Sequence, residues 1–166
     1  MATLAETYYL KALENYPWEL SEAMENLIYA LSYEQNHAAA NCLMGKLQLY
    51  SLKNYALAET YFENAINADS EYACAYENLV TLYITTGKLK KAQQVLVYCQ
   101  RLPTVNQSII LGNMALILEK QHQLKLAKAY LKEALMQVIC TDEQERWNLA
   151  LSRVKTKLKA QKKRAA

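Results

Sequence analysis

Small and large apolar residues recur along this chain with a fixed long period. A small residue, three spacers, a large residue, two spacers and a second small residue appear as Ala23–Leu27–Ala30, Ala58–Phe62–Ala65, Ala92–Leu96–Cys99 and Ala127–Leu131–Ala134. Their first members are 35, 34 and 35 residues apart. Positions i, i+4 and i+7 share one face of a helix. Small residues at the ends of that face let a neighbouring helix approach, and the large residue between them fills the gap. Each period therefore predicts a helix with this face and, upstream of it, the helix it packs against.

The upstream halves are patterned as helices over about 3–14, 38–50, 72–85 and 106–119, and the small-faced helices fall at about 19–33, 54–67, 88–101 and 123–138. The turns inside the pairs carry Asn15 with Pro17, Asn54, Gly87, and Gln121 with His122. Gly87 suits a left-handed cap and Pro17 a helix start, while Pro103 is expected to stop the sixth helix. A ninth helix follows, with Thr141 as the expected N-cap and Gln144 reaching back to it. Trp147, Leu151, Val154 and Leu158 give this helix one apolar stripe, against a face rich in Lys and Arg. That pattern suits a terminal cap, buried on the last repeat and wet outside.

The chain is predicted to be all-α: a right-handed α-solenoid of four helix-turn-helix repeats at about 3–35, 36–70, 71–104 and 105–140, with a capping helix and basic tail over 141–166. With 166 residues, 52% of them apolar and only three Gly and two Pro, it is neither disordered nor turn-rich all-β. No apolar run is long enough to span a bilayer, and the start has no basic segment followed by an apolar one. Cys42, Cys74, Cys99 and Cys140 lack paired C-x-x-C spacing. Structural zinc is not expected, and free thiols in a reducing cytoplasm are.

Charge is unevenly spread. Residues 1–71 hold ten acids and three bases, net −7, whereas 72–140 and 141–166 each hold three acids and eight bases, net +5. Such a dipole steers charged partners or favours end-to-end association.

A helix pair recurring at this period, with small–large–small spacing on its second helix, resembles the tetratricopeptide repeat family. The third unit carries the resemblance best, through Ala75-Tyr76-Glu77-Asn78-Leu79, Leu82-Tyr83, Thr86-Gly87-Lys88-Leu89, then Ala92, Leu96 and Cys99; Gly45 and Ala115 match the small residue of the first helix. Lys11 and Val80 depart from that pattern. Thirteen residues separate Gly45 from Ala58, one more than the family spacing, which places an insertion near residues 50–53. The competing architecture is a pentatricopeptide-like repeat reading single-stranded RNA, which the turn residues and the uneven positive charge fit less well.

The resemblance implies a concave side, lined by the first helices, that holds a peptide or helix of a partner protein. Carried over position by position, that groove comprises Tyr8 and Ala12; Cys42, Lys46 and Leu49; Cys74, Glu77, Asn78, Thr81 and Ile84; and Gly112, Asn113, Leu116 and Glu119. Asn78 and Asn113 hold equivalent places, where an Asn can bond both donors and acceptors of a peptide backbone. Alternatively each bonds a neighbouring turn. Tyr8 and Leu49 have packing as their alternative role. Cys42 and Cys74 are expected to face each other, either as a redox or metal pair or as small packing residues. Some family members clamp a C-terminal carboxylate of chaperones with Lys, Asn and Arg. The corresponding positions here, Tyr8, Ala12, Leu43, Cys74 and Asn78 or else Cys42, Lys46, Asn78, Ile109 and Asn113, lack the charge-assisted donors.

No catalytic motif or cofactor signature stands out. The chain is therefore expected to be a non-enzymatic adaptor without a cofactor. Two other readings stay open. One is association with nucleic acid or an anionic membrane through Arg153, Lys155, Lys157, Lys159, Lys162, Lys163 and Arg164. The other is self-assembly into a homo-oligomer through the acidic and basic ends.

Overall fold

Four of the helices start behind a side chain that takes one of their open amide groups. The computed structural model describes residues 2–165. In it α1 (Leu4–Asn15) begins behind Thr3, whose hydroxyl accepts from the Glu6 amide, and α3 (Ala38–Lys46) begins behind His37, whose Nδ1 accepts from Ala40. Asn54 caps α4 (Tyr55–Ala68) and Asn106 caps α7 (Gln107–Lys120) in the same way. The remaining helices are α2 (Leu20–Tyr33), α5 (Ala73–Thr85), α6 (Leu89–Cys99), α8 (Leu124–Met136) and α9 (Thr141–Ala165). Among the described residues there is no strand, and no helix is long and apolar enough to cross a membrane. The all-α class read from the sequence stands.

The helix-to-helix turns repeat as well. Lys53, Gly87 and His122 have φ of 57°, 75° and 61°, and they lie one repeat period apart in the sequence. Only Gly takes this left-handed conformation without steric cost, so the turn geometry is set by the hairpin and not by the residue that occupies it. Gly87 is the left-handed cap expected of it.

The extra residue near 50–53 is absorbed without breaking the helix. After Lys46 the chain widens into a π-helical turn over Leu47–Ser51, closed by the Leu52 amide on the Leu47 carbonyl at 3.1 Å. Three terminus expectations shift. Pro17 lies in the turn after a cis Tyr16–Pro17 peptide, ahead of α2's start at Leu20, and so is not the first helical residue. The sixth helix already ends at Cys99, where Gln100, Arg101 and Leu102 close tightening turns before Pro103 is reached. The first backbone bond of α9 runs from Gln144 to the Cys140 carbonyl, which places its cap at Cys140, one residue before Thr141.

The chain divides into two compact units, the first running to Leu82 and the second beginning at Tyr83. In the first unit Ala23, Leu27 and Ala30 of α2 pack with Ala12 of α1 and with Ala40, Leu43, Met44 and Leu47. Phe62 of α4 is fully buried on Gly45 of α3, where an added Cβ would sit 2.6 Å from its ring. In the second unit Ala127, Leu131 and Ala134 of α8 form a core with Leu111, Ala115 and Leu118 of α7 and with Trp147, Ala150, Leu151 and Val154 of α9. All twelve residues of the small–large–small faces are at most 1% exposed.

Candidate functional site

The first unit sets two helix surfaces side by side, α3 with its π turn and α5. Cys42 on α3 donates its thiol hydrogen to Cys74 in the first turn of α5, with the sulfurs 3.4 Å apart. The two cysteines therefore face each other as the sequence suggested. Cys74 is brought down to about 7 by that hydrogen bond, against desolvation, with Lys46 and Asn78 helping and Glu77 opposing. The Cys42 thiol is pushed far up, because it gives the bond and is buried. Asn78, one turn further along α5, donates to the Cys74 carbonyl at 2.7 Å and accepts from the Tyr50 hydroxyl at 2.9 Å. Its amide is thereby fixed from two sides and is 9% exposed.

The other expected groove residues of this unit take different places. Lys46, Cys74, Glu77 and Thr81 are partly exposed; the last three, at i, i+3 and i+7, form one strip along α5, and the Lys46 charge on α3 reaches its Cys74. The Lys46 ammonium lies 5.6 Å above the Tyr16 ring. Ala12, Cys42 and Leu49 are buried beneath the surface. The Tyr8 ring turns to α2, stacked on Tyr33 at 5.8 Å and tilted against Tyr29 at 5.2 Å, with the Lys11 ammonium 5.1 Å above it. It joins the α1–α2 packing, the alternative the sequence left open.

In the second unit α9 covers the corresponding face of α7. The Trp147 ring is fully buried against Gly112, where an added Cβ would overlap the ring, and its Nε1 donates to the Ser108 hydroxyl at 2.9 Å. Asn113, 1% exposed, accepts from the Arg146 guanidinium at 3.2 Å. Glu119 is 5% exposed and accepts from Arg153 Nε and Nη2 at 2.8 and 2.6 Å and from Lys157 Nζ at 2.7 Å. Gly112, Asn113 and Glu119 thus offer a ligand almost no surface. Ile84 and half-buried Leu116 line a shallow hollow with Glu119, Lys120, Arg153 and Lys157.

Burial pushes the Glu119 carboxyl up, but the hydrogen bonds and charges of Arg153 and Lys157 outweigh it and hold the carboxyl below its usual range. A carboxyl depressed on folding contributes stability above its unfolded pKa of about 4.3, and that contribution is lost as pH falls through the lower folded value. We expect wild type to melt above Glu119→Gln at neutral pH, with the gap closing below about pH 4. Thermal melts across that range check this, and a gap independent of pH would contradict it.

The basic residues of α9 do not form one surface. Arg153 and Lys157, four apart, are tied to Glu119 of α7. Lys155, Lys159 and Lys162 line a second hollow with Leu158 of α9 and with Lys125 and Lys128 of α8. Lys163 and Arg164 are simply exposed. Lys125 and Lys128 of α8 join a face of α9 that the spacing of 155, 159 and 162 already marks in the sequence.

Other polar residues of the first unit bond both within their own turn and to distant segments. His37 caps α3 and also bonds Glu6 of α1 at 2.9 Å through Nε2. Asn41, 2% exposed, donates to the Gln35 and His37 carbonyls at 2.9 and 3.1 Å. The role of Tyr50 has no signal in the sequence, because its direction depends on the π turn. Among the described residues, no three His, Cys, Asp or Glu side chains are placed to hold a metal ion.

Residues 38–72 match the family model of the tetratricopeptide repeat. No curated protein matches the sequence. Among solved structures, PilF of Pseudomonas aeruginosa is similar with a TM-score of 0.77 and 18% identity, over 95% of this chain and 70% of that one. A thermophilic tetratricopeptide-repeat protein of Thermus thermophilus is similar with a TM-score of 0.71 and 19% identity, over 89% and 81%. YrrB, a tetratricopeptide-repeat protein with an unusual peptide-binding site, is similar with a TM-score of 0.57 and 22% identity, over 67% and 56%. These likenesses establish the fold. Proteins of this repeat type generally mediate protein–protein interaction on a scaffold that is typically non-catalytic.

Proposed function

We propose that this chain, with its tetratricopeptide repeat at residues 38–72, is a non-catalytic adaptor that binds an extended peptide or a helix of a partner protein along α3 and α5. The contacts fall to Lys46, Cys74, Glu77, Asn78 and Thr81, with Cys42 and Leu49 as the floor. The observation that carries this reading is the fixed amide of Asn78. Because Tyr50 and the Cys74 carbonyl already hold it, a ligand meets a preorganised edge and loses little to ordering it. Lys46 and Glu77, of opposite charge on facing helices, add polarity along the strip, so a partner segment is read by direction as well as by shape.

The face of α9 with Lys155, Lys159 and Lys162 beside Lys125 and Lys128 of α8 supports a second reading, attachment of an anionic partner. One capture experiment separates the two. The chain and two double variants, Lys46→Glu with Thr81→Arg and Lys155→Glu with Lys159→Glu, are used as bait in native lysate and the bound proteins are read by mass spectrometry. The first pair is expected to lose the partner at least about tenfold, corresponding to about 1.4 kcal/mol, while the second pair keeps it. Loss with the second pair alone would overturn the α3–α5 assignment and favour the lysine face.

A further inference from the structure

The two thiols of the first unit are arranged as more than small packing residues. At most other buried small positions of this unit the chain uses alanine, as at Ala12, Ala40 and Ala75. Here it places two sulfurs 3.4 Å apart on helices of successive repeats, with one thiol hydrogen directed at the other sulfur. Their exposure differs in a chemically useful way: Cys42 is 1% exposed, whereas Cys74 is partly open. Cys74 also sits in the first turn of α5, where the open amide groups of the helix stabilise an anion. Its sulfur lies 3.5 Å from the Asn78 side-chain nitrogen.

We propose that Cys42 and Cys74 form a dithiol redox site, in which Cys74 attacks a small-molecule disulfide and Cys42 resolves the product, linking α3 to α5. The Cys74 thiolate attacks one sulfur of a disulfide R–S–S–R, forms a Cys74–S–S–R mixed disulfide and expels R–S⁻. The Cys42 thiol then gives its proton to that anion and attacks the Cys74 sulfur, forming the Cys42–Cys74 bond and expelling a second R–S⁻, which takes the proton released when Cys74 ionised. The protein loses two hydrogens and two electrons, and the small disulfide is reduced to two R–SH. The division of labour follows from the site. Cys74 is the sulfur a solvent disulfide reaches, it carries the lowered pKa, and Cys42 is already in contact with it. Closing the sulfurs from 3.4 Å to a bond of about 2.05 Å needs only a small approach of two side chains. The site stands whether or not the α3–α5 strip binds a partner, because its chemistry is read at the sulfurs.

The test uses the full chain carrying Cys140→Ser, which removes the exposed thiol, incubated with oxidised glutathione at neutral pH. The count of free thiols is expected to fall from three to one, counting from the four cysteines less Cys140. Alkylation, digestion and mass spectrometry should return a Cys42–Cys74 linked peptide, and dithiothreitol should restore both thiols. Adding Cys42→Ser should trap Cys74 as its glutathione mixed disulfide. Adding Cys74→Ser should leave Cys42 unmodified. A chain that keeps all three thiols, or one in which the mixed disulfide on Cys74 persists although Cys42 is present, would overturn the proposal. Because linkage in the otherwise native chain is the primary readout, a variant that fails to fold does not decide the outcome.

Discussion

Replacing Trp147 by alanine is expected to cost about 3–5 kcal/mol, the largest single loss in the second unit. The ring is fully buried between α7 and α8 and is the largest of the fully buried side chains. Its removal leaves a cavity over Gly112, which has no side chain to collapse into it. It also strips Ser108, itself 0% exposed, of the indole donor at 2.9 Å. For a chain of this length the loss corresponds to a fall in Tm of roughly 6–20 °C. Hydrogen exchange should place the damage, with protection lost along α9 and reduced on α7 and α8 while α1 to α4 keep theirs, as nearest-neighbour stacking of repeats requires. Trp147→Phe is expected to fall between the two, since it keeps most of the volume and drops the hydrogen bond. A Trp147→Ala chain that melts within about 2 °C of wild type, less than 1 kcal/mol, would mean that α9 contributes little to the unit.

The same helix marks where sequence reading stops. The helix starts were legible to within a residue, because caps and turn residues act locally: Thr3, His37, Asn54 and Asn106 meet amides two or three positions away. The buried faces were legible because a period of 34–35 residues leaves no other helix face for Ala, Leu and Phe to share. Groove positions behaved otherwise. Asn78 and Asn113 are equivalent by repeat, yet Tyr50 approaches the first and Arg146 the second. The difference lies in what the neighbouring layer brings, the π turn that precedes α5 in one case and the α9 that follows α7 in the other. Repeat position specifies where a side chain emerges, not which long side chain from elsewhere reaches it. The division of the α9 bases was available in principle, since Arg153 with Lys157 and Lys155 with Lys159 define two helix faces. Their partner Glu119 lies 34 and 38 residues away, a distance local patterning does not cover.

Phe62→Ala should have a comparable effect in the first unit, about 3–5 kcal/mol, since this ring too is fully buried. The pairing of Phe62 with Gly45 makes the claim sharper than a cavity estimate alone. Gly45 lies inside α3, where Gly→Ala would ordinarily stabilise by about 0.5–1 kcal/mol. Here an added Cβ would come within 2.6 Å of the Phe62 ring, closer than carbon atoms approach without displacement. The ring has no open side to which it can retreat, so Gly45→Ala is expected to destabilise by about 1–3 kcal/mol, opposite in sign to its helix propensity. The conflict should vanish once the ring is gone. Gly45→Ala in a Phe62→Ala background fills part of the cavity and regains helix propensity, so the double variant should be more stable than Phe62→Ala alone. The cycle should give a favourable coupling of more than about 1 kcal/mol, well above the roughly 0.3–0.5 kcal/mol within which independent sites add. Additive losses by urea or thermal unfolding would show that Phe62 does not rest on Gly45, and a stabilising Gly45→Ala in the native background would show that α3 and α4 are not in close contact at that point.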